Sequence, residues 1–273
     1  MPELPEVETI RRAIEPLISG QHLINLELRD PSILRGDTST LRSSIIGKLV
    51  TGVSRRGKQL LLVLEGGWAI VIHLRMTGAL LLEEPDPSRR VRAVLHLSNG
   101  TRLYFNDIRR LGTIALVKDL DGCCRRLGPE PLTGDFTPDI LRQCLAGHRI
   151  PVKAALLDQH IVAGVGNMYA DEALYEANIH PLTPANELSP GQISRLWEAI
   201  RAVLQRAIAC QGASIATYAL PSGERGTAHN LFNVAHKKDA PCPRCGTPIT
   251  RVMVRKRGAS FCPSCQQPGN HLG

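Results

Sequence analysis

Met1-Pro2-Glu3-Leu4-Pro5-Glu6-Val7-Glu8-Thr9-Ile10 opens the chain, and its reading decides the rest. From Val7 onward, Ile10, Ile14, Leu17 and Ile18 follow the spacing of an amphipathic helix, which is predicted over 5–18. Pro5 suits a first-turn position, the acids suit the positive end of the helix, and Gly20 suits its close. The same stretch carries chemistry. A Met followed by Pro is a start that is commonly trimmed, and trimming exposes the secondary amine of Pro2. Such an amine can attack an electrophilic sugar carbon, and its condensation product is a cationic iminium that needs no further protonation. Glu3, beside it, can donate or accept the proton. The two readings are compatible, because a helix start would hold Pro2 in place.

The chain has 273 residues and 43% hydrophobic content, enough for about two cores of ordinary size. Its net charge of +8 favours a polyanionic partner, of which nucleic acid is the commonest. A membrane partner is not expected. There is no long basic amphipathic helix, and no run reaches the ~18 apolar residues of a spanning segment. Glu3, Glu6 and Glu8 stand where a secretory signal would be basic. An intracellular, cytoplasmic and reducing location is therefore expected, so the eight cysteines are not read as a disulfide framework.

Between Leu23 and Lys118 the pattern is β. Short apolar runs recur at 60–64, 69–74, 79–82, 91–97 and 114–117, and Gly66-Gly67 and Asn99-Gly100 are hairpin signals. This predicts a β-sandwich or barrel. Arg125–Pro138, with Pro129 and Pro131, reads as a linker. Helices are predicted at 139–145, 152–157, 168–177 and 192–208, and 213–238 reads as a long, mobile loop, of a length that is usually either functional or disordered. The fold class is α+β and multidomain, with segments 1–131, 132–236 and 237–273.

Cys242-Pro-Arg-Cys245 and Cys262-Pro-Ser-Cys265 are two C-x-x-C knuckles separated by sixteen residues. That spacing suits a structural zinc ribbon, with two thiolates from each knuckle completing a tetrahedron and leaving no open position. So small a unit draws its folding energy from the metal. Cys123, Cys124, Cys144 and Cys210 lack ligand spacing and read as ordinary thiols. Between the knuckles, Arg251, Arg255, Lys256 and Arg257 put positive charge on a hairpin that could clamp phosphates.

The acidic-Pro start, Arg56-Gly-Lys58-Gln-Leu, Gly164-Val-Gly-Asn167-Met-Tyr-Ala-Asp-Glu-Ala-Leu174 and the terminal ribbon occur in one order. Taken together, they resemble the formamidopyrimidine-DNA glycosylase family, which repairs oxidised purines, over nearly the whole length. Leu4 is closer to the purine-repair branch than to the endonuclease VIII branch, which typically has Gly there. The resemblance implies an N-terminal β-sandwich, a helix–two-turn–helix module and a four-cysteine zinc finger, with damaged duplex DNA crossing between them. The implied protein is a bifunctional glycosylase and abasic-site lyase, and a monomer is the default for a protein that wraps one duplex. It flips the damaged nucleotide out of the stack, attacks C1′ with Pro2, moves a proton with Glu3 and cuts the strand by β- and δ-elimination.

Further site residues are implied by the same resemblance. Lys58 would lie near the lesion or its phosphate. Asn167, at a helix start, and Arg257, five residues before Cys262, would hold phosphates. Lys153 and Arg90 join the DNA contacts. Met76 and Arg109 would fill the space left by the flipped base, with Arg109 facing the orphaned cytosine. Leu111 stands where the family usually places a Phe wedge; it can part a base step but cannot stack. Arg90 and Arg92 stand where some members have His, and the 213–230 loop resembles the family's lesion loop loosely. A glycosylase preferring oxidised pyrimidines and a non-catalytic damaged-DNA-binding protein are the alternatives.

Overall fold

The computed structural model describes residues 2–35, 43–215 and 217–268, with the side chains of Arg89, Asp121 and Cys123 undescribed. Met1, whose removal the reading of Pro2 requires, lies outside these residues, as does the Cys123 thiol. The chain divides into two compact units. The first runs to Arg125 and regains Ile208–His229; the second comprises Arg126–Ala207 and the chain from Asn230. The segment 208–229, which sequence grouped with the helices, thus packs with the strands.

The first unit begins with helix α1 (Leu4–Ile18), whose Val7, Ile10, Ile14 and Ile18 are fully buried. Two sheets follow. One orders β1 (Leu23–Leu28), β7 (Val91–Leu97), β8 (Arg102–Asp107) and β6 (Gly78–Leu81). The other orders β2 (Leu34–Arg35), β9 (Thr113–Val117), β5 (Trp68–His73), β4 (Gln59–Leu64) and β3 (Val50–Arg56). Leu60, Leu62, Ile70 and Ile72 of the second sheet share one core with Leu26, Leu80, Leu95 and Phe105 of the first. Each such side chain removed from water contributes about 1.5–3 kcal/mol, so the two buried faces account for the sandwich. Both glycine signals sit at strand ends: Gly66 (φ 74°) and Gly67 (φ 77°) join β4 to β5, and Gly100 (φ 86°) joins β7 to β8.

The second unit holds α3 (Pro138–Ala146), α4 (Val152–Leu157), α5 (Asn167–Glu176) and most of α6 (Pro190–Ala209); the short α2 (Leu120–Cys124) precedes it. The proline-rich segment read as a linker is pinned to α6. Trp197 Nε1 donates to the Phe136 carbonyl at 2.6 Å, and Arg201 Nη1 donates to the Pro131 carbonyl at 2.7 Å. Strands β10 (Thr250–Val254) and β11 (Arg257–Phe261) form the predicted hairpin. Among the described residues no helix is long and apolar enough to cross a membrane.

Candidate active site and metal centre

In the first unit, α1 fixes the start of the chain. Pro2 is buried, and Glu3, 1% exposed, is the N-cap of α1. Glu6 Oε2 accepts from the Glu3 N–H at 2.8 Å, the return half of a capping box. Glu6 Oε1 accepts from the Ala213 N–H at 2.8 Å. One buried carboxylate therefore ties the Pro2-Glu3 terminus to the neck of the 213–230 loop. Sequence analysis missed Glu6 in this role, although an acid three residues after the cap was the available signal. The neck is closed by a bridge between Ala213 and Thr227 and by Ala228 N–H donation to the Gly212 carbonyl at 3.0 Å.

Lys58 occupies the two-residue turn between β3 and β4, where Gly57 takes the left-handed conformation (φ 57°). It is 8% exposed. His73, which sequence analysis also missed, pairs in register with Gln59, the next residue after Lys58. Burial, then the charges of Arg75 and Lys58, push its imidazole down from 6.5 to about 4. Its Nδ1 accepts from the Arg75 N–H at 3.1 Å, so the neutral ring carries its proton on Nε2.

The shift has a stability consequence. As pH falls through 6.5 the unfolded imidazole takes up a proton and the folded one does not until about pH 4. The stabilisation from His73 is complete above pH 6.5 and is lost between these values, up to about 3 kcal/mol. Urea unfolding at pH 7.5 and 4.5 should show a larger acid loss for the parent than for His73→Gln; equal losses would show that His73 is not buried as a neutral ring.

Met76, Arg109 and Leu111 come together on two turns. Arg75 (φ 52°) and Arg110 (φ 57°) both adopt the left-handed conformation, uncommon for non-glycine residues and a frequent mark of functional turns. Asp107, fully buried, organises them. Its Oδ1 accepts from the Thr77 hydroxyl and from the Arg109 N–H at 3.2 Å, and its Oδ2 from the Gly112 N–H at 2.7 Å. Arg109 Nη1 lies 3.5 Å from Met76 Sδ. Met76, Ile108 and Leu111 are each more than 40% exposed, an unusual grouping of apolar side chains beside an exposed arginine. Arg92 is the second cation at the positions where some family members have His. It is buried, and its Nε donates to the Asp107 carbonyl at 2.8 Å. Arg90 is half-buried at the end of a short turn before β7.

In the second unit, Asn167 is the first residue of α5, whose N-cap is Gly166. It lines a cavity of about 240 Å³ with His236, Lys238, Arg251 and Gly258. Buried Glu172 shapes the approach by accepting the N–H groups of Asn233, Val234 and Ala235 at 2.8–3.0 Å. Arg255 (φ 43°) and Lys256 (φ 66°) form the two-residue turn of the β10–β11 hairpin, a position that usually takes Asn-Gly. Arg257 follows, exposed. Lys153, by contrast, has no exposed surface.

Cys242, Cys245, Cys262 and Cys265 place their sulfurs within 4.8 Å of one another. The separations of 3.9 Å (Cys242–Cys265) and 3.5 Å (Cys245–Cys262, Cys245–Cys265) suit tetrahedral zinc, since Zn–S bonds of ~2.3 Å put ligands about 3.8 Å apart. Four thiolates from two knuckles fit one structural Zn²⁺.

The same order of parts recurs in known proteins. Residues 1–114 match the formamidopyrimidine-DNA glycosylase N-terminal domain, 127–219 its H2TH domain, and 240–268 the zinc finger found in FPG and IleRS. The chain belongs to the formamidopyrimidine-DNA glycosylase family. The formamidopyrimidine-DNA glycosylase of Chloroflexus aurantiacus is 46% identical over 271 residues, covering 97% of this chain and 98% of that protein. The crystal structure of MutM (FPG) from Thermus thermophilus superimposes with a TM-score of 0.90 at 42% identity, covering 98% and 100% of the two chains. A Lactococcus lactis FPG mutant in complex with Fapy-dG-containing DNA gives 0.89 at 37% identity, covering 98% and 100%. Family membership extends over both compact units and the four-cysteine site.

Proposed function

We propose that this protein excises oxidised purines, 8-oxoguanine and formamidopyrimidines, from duplex DNA and cleaves the resulting abasic site, with Pro2 as nucleophile. The activity is that of the family to which the chain belongs, and the relative from Lactococcus lactis is seen on Fapy-dG DNA. The observation that carries the assignment to Pro2 is its place: buried, directly before a helix, with Glu3 capped by Glu6.

The damaged nucleotide leaves the stack. The Pro2 amine attacks C1′, the glycosidic electron pair leaves with the base, and Glu3 protonates the ring oxygen as the sugar opens to the iminium. Loss of a C2′ proton then expels the 3′ phosphate, and the second elimination expels the 5′ phosphate. Lys58, with His73 beside its hairpin, binds the lesion or its phosphate. Arg109 donates to the orphaned cytosine while Met76 and Leu111 occupy the gap. Asn167 and Arg257 hold backbone phosphates, with Arg90 adding charge. Segment 1–131 supplies the chemistry, 132–236 the helix–two-turn–helix module and lesion loop, and 237–273 the zinc finger, within a cytoplasmic monomer.

Strand cleavage and gel-shift binding, measured on one 8-oxoguanine:cytosine duplex, test the reading. Cleavage is expected; binding without cleavage would favour a recognition protein. On a lesion panel, faster turnover of oxidised pyrimidines than of 8-oxoguanine would overturn the purine assignment. Because Leu111 cannot stack on a base, Leu111→Phe should speed lesion search or reorder lesion preference. Unchanged turnover and ranking would remove residue 111 from the wedge.

A further inference from the structure

Lys153 and Asp171 form an ion pair with almost no access to solvent. Lys153 is 0% exposed and Asp171 3%, and Lys153 Nζ lies 2.6 Å from Asp171 Oδ1. Burying a charge pair removes both hydration shells, and an apolar pair of similar volume is often as stable or more so. Stability alone is therefore a weak reason for the pair. Its remaining hydrogen bonds point elsewhere. Lys153 Nζ donates to the Gly258 carbonyl at 2.6 Å, and Asp171 Oδ2 accepts from the Ser260 N–H at 3.1 Å.

Those two backbone groups flank Ala259 on β11, and Gly258 directly follows Arg257. Lys153 belongs to α4, and Asp171 lies one turn after Asn167 on α5. The pair thus grips the hairpin backbone at the root of Arg257 and ties it to the helix that starts with Asn167. Space at the junction is tight: a Cβ on Gly258 would meet the Arg251 guanidinium.

We propose that Lys153 and Asp171 are a positioning pair: an internal clamp that holds Arg257 and Asn167 at a fixed spacing, so that both reach phosphates of one DNA backbone. Lys153 acts through Arg257 and does not itself touch DNA. The inference rests on the phosphate roles proposed above for Asn167 and Arg257.

The test is a binding cycle on an 8-oxoguanine:cytosine duplex, titrated with salt, using full-length zinc-loaded protein. Arg257→Ala and Asn167→Ala come first. Each should weaken binding, and Arg257→Ala, which removes a cation, should also shallow the log–log salt slope by about one; if neither weakens binding, the phosphate reading fails before the clamp is tested. The clamp variants are Lys153→Met and the double Lys153→Met/Asp171→Leu, which leaves no unpaired buried charge and keeps the fold testable. With four zinc-bound cysteines and an unfolding midpoint at or above the parent's, the double variant should still bind at least 10-fold more weakly, with the shallow slope of Arg257→Ala. Adding Arg257→Ala to Lys153→Met should cost nothing further, because both act on one contact. Losses that multiply would show Lys153 to be an independent phosphate ligand. Parental affinity and slope in the double variant would show the pair to be packing alone. Either result overturns the clamp.

Discussion

Glu3→Gln is expected to lower excision at an 8-oxoguanine:cytosine pair by roughly 10²–10⁴-fold, the usual contribution of a positioned general acid or base. The substitution keeps the shape of the side chain and removes its exchangeable charge. Glu3 is 1% exposed and its N–H is held by Glu6 at 2.8 Å, so the variant should keep the entry geometry of α1 and a thermal midpoint near the parent's. Single-turnover excision at saturating enzyme separates chemistry from binding. A large rate loss with parental DNA affinity is the predicted pattern; parental rates would assign the proton transfer to another group.

Zinc removal should have the second large effect. The hairpin's own cluster is small: Tyr175, Val234, Cys242, Ile249 and Cys262, with two of its members the metal-binding thiols themselves. Structural zinc contributes about 10–16 kcal/mol in isolated finger peptides, far more than such a cluster supplies. A strong chelator, or Cys262→Ser, should unfold β10–β11, release Arg257 and lower DNA affinity at least 100-fold. The sandwich has a separate core of Leu60, Leu62, Ile70, Ile72 and Phe105, so amide exchange of β4 and β5 should remain slow. Retained DNA affinity after metal removal would contradict the role of the finger.

Periodicity alone made much of this architecture legible. The run at 91–97 is strand β7 to the residue, and 152–157 is helix α4 to the residue, because alternating or 3.6-spaced apolar positions are dictated by which face is buried. The metal site was legible for a different reason: four thiols in two knuckles have few other uses. What sequence hid were partnerships set by three-dimensional placement. Lys153 looks like any helix-start cation, yet it is sealed against Asp171 eighteen positions later. Arg92 looks like a surface charge in a strand, yet its guanidinium serves the Asp107 turn. Glu6, Asp107 and Glu172 organise loops through backbone N–H groups far along the chain or across a turn; an acidic letter carries no trace of such a partner. His73 is similar, since its low pKa depends on burial and on Lys58, fifteen residues earlier. The regrouping of 208–229 with the strands has the same origin, because Tyr218 and Leu220 enter the sandwich core.

The central claim is that the Pro2 amine becomes covalently attached to the sugar. Borohydride trapping on an 8-oxoguanine:cytosine duplex, followed by mass analysis of the adduct, tests it most directly. The account predicts a reduced protein–DNA adduct on a chain lacking Met1, with the attachment mapped to Pro2 and the adduct absent from Glu3→Gln. Strand cleavage without a trappable adduct, or an adduct mapped to a lysine such as Lys58, would contradict it.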